Sequence, residues 1–204
     1  RGATVRAGET VTRIAPRAGG ADVVPDRGTY ACGAAVVAAG AWLPALAGEP
    51  FAKRLAVYRQ VLHWFAADEP SAFAPGRFPV FIWIHGAGAG DYFYGFPVIG
   101  DGIKLATEQF RETTEPDRAR RDVGRNEVAA MHRVHVRGRL HGVSDRAVRT
   151  ATCFYTATRD ARFLIDRHPD GARVVVVSAC SGHGFKHSAA IGEAVAGWLT
   201  EGAS

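Results

Sequence analysis

The sequence has few cysteines and no long apolar run. Its 204 residues include three cysteines, Cys32, Cys153 and Cys180, with no closely spaced pair. This argues against a disulfide scaffold and against a zinc site. No apolar stretch approaches the roughly 20 residues that a membrane-spanning helix needs, and the first residues lack the hydrophobic segment of a signal peptide. We therefore expect a globular, cytoplasmic protein without membrane attachment.

A strong excess of one charge sign is also missing. The net charge is +5, and the arginines are densest from Arg111 to Arg149, where carboxylates interleave with them. A solvated, arginine-rich helical face explains this pattern better than a nucleic-acid surface, so we expect no nucleic-acid partner. His132 and His135 are three residues apart but lack a nearby third ligand, so we predict no metal site.

The hydrophobic pattern at the start of the chain indicates short strands. Turn residues such as Gly19-Gly20 and Asp26-Arg27-Gly28 separate β-type runs and predict a meander. Ala35–Ala39 is a small apolar run typical of a strand buried on both faces. The runs of the meander are Thr4–Arg6, Thr10–Ile14, Ala21–Val24 and Thr29–Cys32.

The rest of the chain predicts an α+β (mixed α/β) fold. Aromatic and branched residues in "RLAVYRQVLHWFA" and "FPVFIWIH" predict strands, and "DYFYGFPVIGDGIKLATEQF" predicts two more. The pattern is helical between Pro116 and Arg149. Val174–Val177 predicts a buried strand, followed by a loop and an amphipathic helix. In the helix predicted between Pro116 and Arg149, the residues that share one face are Val128, Met131, His132 and His135. In the amphipathic helix after the loop, they are Ile191, Val195, Trp198 and Leu199.

The loop "SGHGFK", Ser181–Lys186, is the first candidate site. Glycines allow close approach of the backbone to a ligand, and a helix N-terminus offers unpaired N–H groups and partial positive charge. The loop could hold an anion or an electron-rich ring edge, or it could be a glycine turn with a surface lysine. It is not a dinucleotide fingerprint, because His187 stands where the third glycine would be.

Three other residues have two interpretations each. Cys153 is either a small buried hydrophobe or a reactive or attachment site. Lys104 is either an exposed lysine on a half-solvated strand or a cation aimed into an apolar cavity, where it would stabilise developing negative charge. Tyr94, among aromatic residues, is read by default as core.

Taken in order, several segments resemble one enzyme family. "VVAAGAW", "YRQVLHWF", "FPVFIW", "YGFP…GIKL", "TCFYTATRDARFLIDRHP" and "SGHGFK" are similar to the monomeric sarcosine oxidase and N-methyltryptophan oxidase family. These are flavoprotein amine oxidases of the D-amino-acid-oxidase-like group. The resemblance implies oxidation of a secondary-amine amino acid to an imine, with molecular oxygen reduced to hydrogen peroxide.

The resemblance also implies roles for particular residues. Cys153 would bind FAD covalently, Lys104 would assist oxygen reduction, and Lys186 would hold the substrate carboxylate. Tyr94 and Tyr155 match tyrosines of the substrate cavity, while Glu108 stands where sarcosine oxidases carry a histidine, which reverses a charge near the substrate. Further contacts to FAD are expected from Gly40, Gly182, His183, Gly184 and Phe185.

This resemblance divides the chain into three parts. Residues 1–47 would supply the meander and one strand of an FAD-binding, Rossmann-like domain, and 48–150 an antiparallel-sheet substrate domain. Residues 151–204 would carry the flavin attachment and the closing strand, loop and helix.

The Gly-x-Gly-x-x-Gly turn that holds the ADP half of FAD does not occur in this sequence, which matches the C-terminal half of the family. We therefore expect a second chain supplying the first half, a self-associated fragment, or a piece of a longer protein. On its own, this half would leave Ala35–Ala39 and Val174–Val177 without neighbouring strands. The alternative function is a non-catalytic fragment or binding module that keeps the fold without flavin.

Overall fold

Strands dominate the structure, a computed structural model that describes residues 2–200. The chain forms two compact units. The first comes from the described parts of residues 1–57 and 155–204, and the second from residues 58–154. The fold is mixed α and β with antiparallel sheets and few helices, as the sequence predicts. Short 3₁₀ turns occupy Gly40–Trp42, Ala52–Arg54, Pro70–Phe73 and Phe185–His187.

The first unit begins with the predicted meander. Strands β1 (Val11–Arg17), β2 (Gly20–Pro25) and β3 (Tyr30–Cys32) pair antiparallel in that order. The expected strand at Thr4–Arg6 is wrong, since these residues have no regular structure and are exposed. They have no face to bury, and a strand without a partner is not stable in water.

A second sheet of the first unit combines residues from both ends of the chain. Strands β10 (Leu164–His168) and β11 (Gly171–Ser178) form a hairpin, and β4 (Ala35–Val37) adds to β11 in parallel. The expectation that Ala35–Ala39 and Val174–Val177 would lack neighbouring strands is therefore wrong. β4 pairs with β11, and β10 covers the other edge of β11. Burial of β4 on both faces is also wrong, since Val36 is 47% exposed.

Two α-helices complete the first unit. Helix α1 (Leu43–Ala47) follows β4, and α3 (Ser188–Thr200) follows β11. The predicted apolar stripe of α3 is only partly buried: Val195 is buried, while Trp198 is 39% exposed beneath the Arg167 guanidinium. The core is a cluster of buried apolar residues: Ala21, Val37, Leu43, Ala47, Phe51, Leu55, Leu164, Val174 and Val176.

The second unit is built on a five-stranded antiparallel sheet. Its strands are β5 (Ala56–Ala67), β6 (Phe81–Ile84), β7 (Tyr92–Phe96), β8 (Ile103–Ala106) and β9 (Val143–Ala157). Their order across the sheet is β6-β7-β8-β5-β9. The division between the two units falls within β5 and β9.

The helix of this unit is shorter than the sequence predicts. Helix α2 (Arg125–Met131) continues into a π-type turn (His132–Val136), but β9 begins at Val143. Helix is therefore wrong for residues 116–124 and 137–142, which are turns and irregular backbone, and for residues 143–149, which are strand. In residues 143–149, pairing in the sheet outweighs the weak helical preference, as tertiary context commonly does.

Alternation along the strands gives the sheet two different faces. Phe65, Ile103 and Leu105 face α2 and pack in one core with Met131 and Val136. The intervening residues, such as Trp64 and Lys104, project from the opposite face, because successive strand residues point to opposite sides.

His63 lies on the buried, helix-facing side. It is 4% exposed and stacks on Phe65 with ring centroids 5.6 Å apart. Neither ring nitrogen has a hydrogen-bond partner among the described residues. Burial lowers the pKa of His63 to about 4. The negative charge of Glu127 and the nearby Leu105 backbone, which is not in hydrogen-bonding geometry, act to raise it and only partly offset burial. The imidazole is therefore neutral at pH 7.

We expect His63 to make folding sensitive to acid. The unfolded imidazole, with a pKa near 6.5, takes up a proton as the pH falls, whereas the folded one resists until about pH 4. Stability is thus full above about pH 6.5 and declines toward pH 4, by about 2–3 kcal/mol from this group at about pH 4.5. Urea denaturation at about pH 7 and pH 4.5 measures the loss.

His63→Phe should remove that part of the pH dependence, because phenylalanine keeps the ring and cannot titrate. His141→Phe is the matched control, since His141 is exposed, and it should retain the full wild-type loss. An equal loss in wild type and His63→Phe would contradict this assignment.

Candidate functional site

The two parallel strands of the first unit bring two glycine segments to one edge of their sheet. Gly40 follows β4, and Gly182–Gly184 follows β11, whose residues pair with β4 in parallel. Gly40 has φ +54° and Gly182 has φ +82°, backbone conformations that favour glycine. The edge outside the carboxyl ends of parallel strands is where ligands bind in open α/β sheets.

Backbone contacts hold the Ser181–Gly184 turn. Ser181, at φ +43°, donates its N–H to the Thr156 carbonyl at 2.9 Å, and its hydroxyl donates to the Arg162 carbonyl at 3.0 Å. A Cβ at Gly184 would stand 1.6 Å from the Ala179 carbonyl oxygen. Only glycine fits position 184 in this turn.

The residues after the turn are open to solvent. Phe185 is 95% exposed, and the exposed Lys186 donates from Nζ to the His183 carbonyl at 2.9 Å. The His183 ring stacks on Phe163 at 4.9 Å and donates from Nε2 to the Ala161 carbonyl. The turn thus presents an apolar ring and a cation immediately before helix α3.

In the second unit, Lys104 lies between two aromatic rings. It pairs with Trp64 of β5 on one side and with Phe96 of β7 on the other. Its Nζ lies 4.8 Å from the Phe96 centroid and 5.5 Å from the Trp64 centroid. The Arg149 guanidinium of β9 also lies over Trp64, at 4.5 Å. We call Phe96, Lys104, Trp64 and Arg149 the cation–π row, and it crosses four strands.

Tyr94 and Cys153 lie on the same face of the sheet as this row. Tyr94 is two residues from Phe96, and their rings meet edge to face at 6.2 Å. On β9, Thr152 and Phe154 contact Arg121 on the helix side, so alternation directs the half-buried Cys153 to the opposite face. The face therefore combines a thiol, a phenol and two cations.

Glu108 follows β8 and is held by a tyrosine. The Tyr92 hydroxyl donates to Glu108 Oε2 at 2.7 Å. Burial, and then the Glu108 carboxylate, raises the pKa of Tyr92 well above its usual range. The phenol therefore stays protonated and keeps the carboxylate oriented.

The predicted site residues thus form two groups, one in each unit. Tyr94, Lys104, Glu108 and Cys153 belong to the second unit. Gly40, Tyr155 and residues 182–186 belong to the first.

Several residues of these groups escape prediction from the sequence. Trp64, Phe96 and Arg149 meet Lys104 only through strand register, for which the sequence alone gives no signal. Tyr92 has a detectable signal: it alternates with Tyr94 and Phe96, which indicates a shared face.

Comparison with known proteins agrees with these features. The family described as FAD dependent oxidoreductase (DAO) matches residues 1–198. This chain belongs to the FAD dependent oxidoreductase family, an enzyme family.

Among curated relatives, a monomeric sarcosine oxidase from Streptomyces avermitilis is 35% identical over 205 residues, covering 96% of this chain and 51% of the relative. An N-methyl-L-tryptophan oxidase from Yersinia pestis is 35% identical over 195 residues, covering 91% of this chain and 48% of the relative. This confirms the resemblance to that family of amine oxidases.

A solved structure has the same fold. NikD, an amino acid oxidase essential for nikkomycin biosynthesis, superposes in its open form with a TM-score of 0.78 and 25% identity. The superposition covers all of this chain and 53% of NikD. The chain spans about half the length of the curated relatives it matches.

No helix among residues 2–200 has the length and apolar character to cross a membrane. No group of three or more histidine, cysteine or acidic side chains in that range could hold a metal ion.

We expect Gly184→Ala to destabilise the first unit. The added methyl group meets the Ala179 carbonyl, and such overpacking typically costs about 1–3 kcal/mol. Gly192→Ala is the control, because its Cβ meets nothing within 4 Å and alanine favours a helix by up to about 1 kcal/mol. Thermal unfolding should show a lower Tm for the first variant and an equal or higher Tm for the second. Equal Tm values for Gly184→Ala and wild type would refute the tight turn.

Proposed function

We propose that this chain forms part of an FAD-dependent oxidase of secondary-amine amino acids, of the N-methyl or cyclic type. The observation that carries the proposal is the cation–π row with Lys104 at its centre, on the face that also carries Tyr94 and Cys153. Family membership and the names of the relatives support the same chemistry.

The residues of both units suit FAD. Gly40 and the Gly182–Gly184 turn offer backbone approach at the edge of the parallel strands, and Cys153 is a half-buried cysteine outside any disulfide, suited to covalent attachment. Bound FAD supplies the two-electron acceptor that no side chain can provide. The ADP half would be held by residues outside this sequence, from a second chain or a further segment.

Lys186 is proposed to bind the substrate carboxylate. Its ammonium uses one of three N–H groups on the His183 carbonyl, which among the described residues leaves two for a carboxylate. Tyr94 and Tyr155 would line the substrate cavity. Glu108, oriented by Tyr92, would add a negative charge that favours substrates with an additional N–H or cationic group.

The overall reaction balances without any metal. The substrate C–N unit loses two electrons and two protons to become an imine, which water hydrolyses. Oxygen receives two electrons and two protons and becomes hydrogen peroxide. Lys104 is proposed to stabilise negative charge on oxygen as it is reduced, because a fixed cation is most effective where charge develops.

Covalent attachment of FAD tests the role of Cys153. We expect yellow absorbance to stay with the acid-denatured chain and to be lost from it in Cys153→Ser. Cys180→Ser is the matched control, because Cys180 is also half-buried and outside any disulfide, and it should retain the colour. A colourless wild-type chain, with Cys153 carrying no flavin, would instead support the non-catalytic fragment.

The oxygen role of Lys104 is tested by separating the two half-reactions in the FAD-loaded protein. In stopped-flow experiments, Lys104→Met should slow flavin reoxidation by oxygen about a hundredfold and slow reduction by substrate far less. Lys53→Met is the control, since Lys53 has an 80% exposed side chain, and should leave both rates unchanged. Equal slowing of both half-reactions by Lys104→Met would remove Lys104 from this role.

A further inference from the structure

A cavity of about 580 Å³ lies on the helix-facing side of the five-stranded sheet. Its walls come from β5, the end of β8, residues 109–114 and helix α2. Lys104 and the cation–π row project from the other face of the sheet, so the proposed oxidase chemistry does not use this cavity.

The rim of the cavity is fixed by two glutamine side chains. The Gln60 amide exchanges two hydrogen bonds with the Gln109 backbone, at 2.7 and 2.9 Å. The Gln109 amide group donates to the carbonyls of Arg59 and Glu112, and its oxygen accepts the backbone N–H groups of Arg111 and Glu112. Residues 109–112 are therefore held in place without a ligand.

The charged wall is also internally paired. Arg59 donates to Glu127 at 2.7 Å and to the carbonyls of Arg120 and Asp122. Arg120 also pairs with Glu127. Burial acts to raise the pKa of Glu127, but hydrogen bonds from Arg59 and the Gly124 N–H, with the charges of both arginines, lower it. Glu127 is therefore an anion already satisfied by protein.

Two imidazoles belong to the lining of this cavity, and they differ in access. His63 is 4% exposed and has no partner at either ring nitrogen among the described residues. Both nitrogens are shielded from solvent, so a ligand in the cavity does not reach them, and His63 contributes only ring carbon to the wall.

His135, also in the lining, has a defined tautomer. Arg139 can only donate, so it donates to His85 Nδ1 at 3.2 Å, which leaves the proton of neutral His85 on Nε2. His85 Nε2 then donates to His135 Nδ1 at 3.1 Å. Burial and the charge of Arg139 lower the pKa of His135, against the opposing charge of Asp91. The neutral ring of His135 therefore carries its proton on Nε2 as a donor.

The charge balance of the lining favours an anion. Arg59, Arg111 and Arg120 stand against Glu112 and Glu127, an excess of one positive charge. The neutral His135 ring is a donor, and Val61, Ala130, Met131 and Val134 provide apolar surface.

We propose that this cavity binds a small organic monocarboxylate. Its apolar body would pack against helix α2, and its carboxylate would accept a hydrogen bond from His135 Nε2 within the positive field of the arginines.

Three probes of the same shape and different charge test the proposal: benzoate, benzamide and benzamidinium. Isothermal titration of the full chain should show benzoate binding about threefold or more tighter than benzamide, the size of an exposed ion pair, and benzamidinium binding least. Arg111→Gln should abolish the preference for benzoate. Arg118→Gln, exposed and outside the lining, is the control and should retain it.

His135→Phe should weaken benzoate binding roughly tenfold or more, the worth of a hydrogen bond to a charged group, whereas His141→Phe should not. Nitrogen-15 spectra of the wild-type imidazoles provide a second measurement that needs no variant, and benzoate should shift the His135 ring signals. Absence of binding at millimolar concentration, a preference for benzamidinium, or unchanged His135 signals would each overturn the proposal.

Discussion

The pairing register of strand β5 is the constraint on which the second unit depends. It sets Trp64 beside Lys104. The pairing of β7 with β8 sets Phe96 on the other side of Lys104, so the cation lies against two aromatic faces. An ammonium over an aromatic ring is attracted by the ring quadrupole, by about 0.5–2 kcal/mol depending on its exposure. The same register turns the next residue, His63, toward α2. A slip of one residue would exchange the two faces of the strand. The position of Lys104 beside Trp64 and the position of His63 in the cavity wall therefore depend on the same β5–β8 register.

In the first unit, the predicted glycine segments are placed by the ends of paired strands and not by the faces of a sheet. The parallel pairing of β4 with β11 brings together two glycine segments that are more than 140 residues apart in the sequence. Placing ligand contacts at the carboxyl edge of such strands is a general property of α/β sheets. Family membership identifies this arrangement with FAD dependent oxidoreductases, although each unit carries only some of the proposed site residues.

Much of the fold could be predicted from local pattern, and the failures have physical causes. Val174–Val177 and the aromatic runs of β5 and β6 are correctly assigned, because their composition suits strands alone. Residues 143–149 carry polar side chains at Ser144, Asp145 and Arg146, so the sequence pattern does not indicate the edge strand that they form. Alternation predicts that Lys104 and Ile103 point to opposite faces of the sheet. The Trp64 and Phe96 rings beside Lys104 depend on strand register, which alternation does not give. The cavity on the helix-facing side of the sheet forms only when β5, residues 109–114 and helix α2 pack together, and no local sequence pattern predicts that packing.

The Ser181–Gly184 turn keeps its shape mainly through backbone atoms. The Ser181 N–H and the Ala179 carbonyl define its path, and the side chains of His183 and Phe185 project from it. Substitution of the exposed Phe185 side chain can therefore change the surface beside the turn without changing the directions of its peptide groups, provided that position 184 remains glycine.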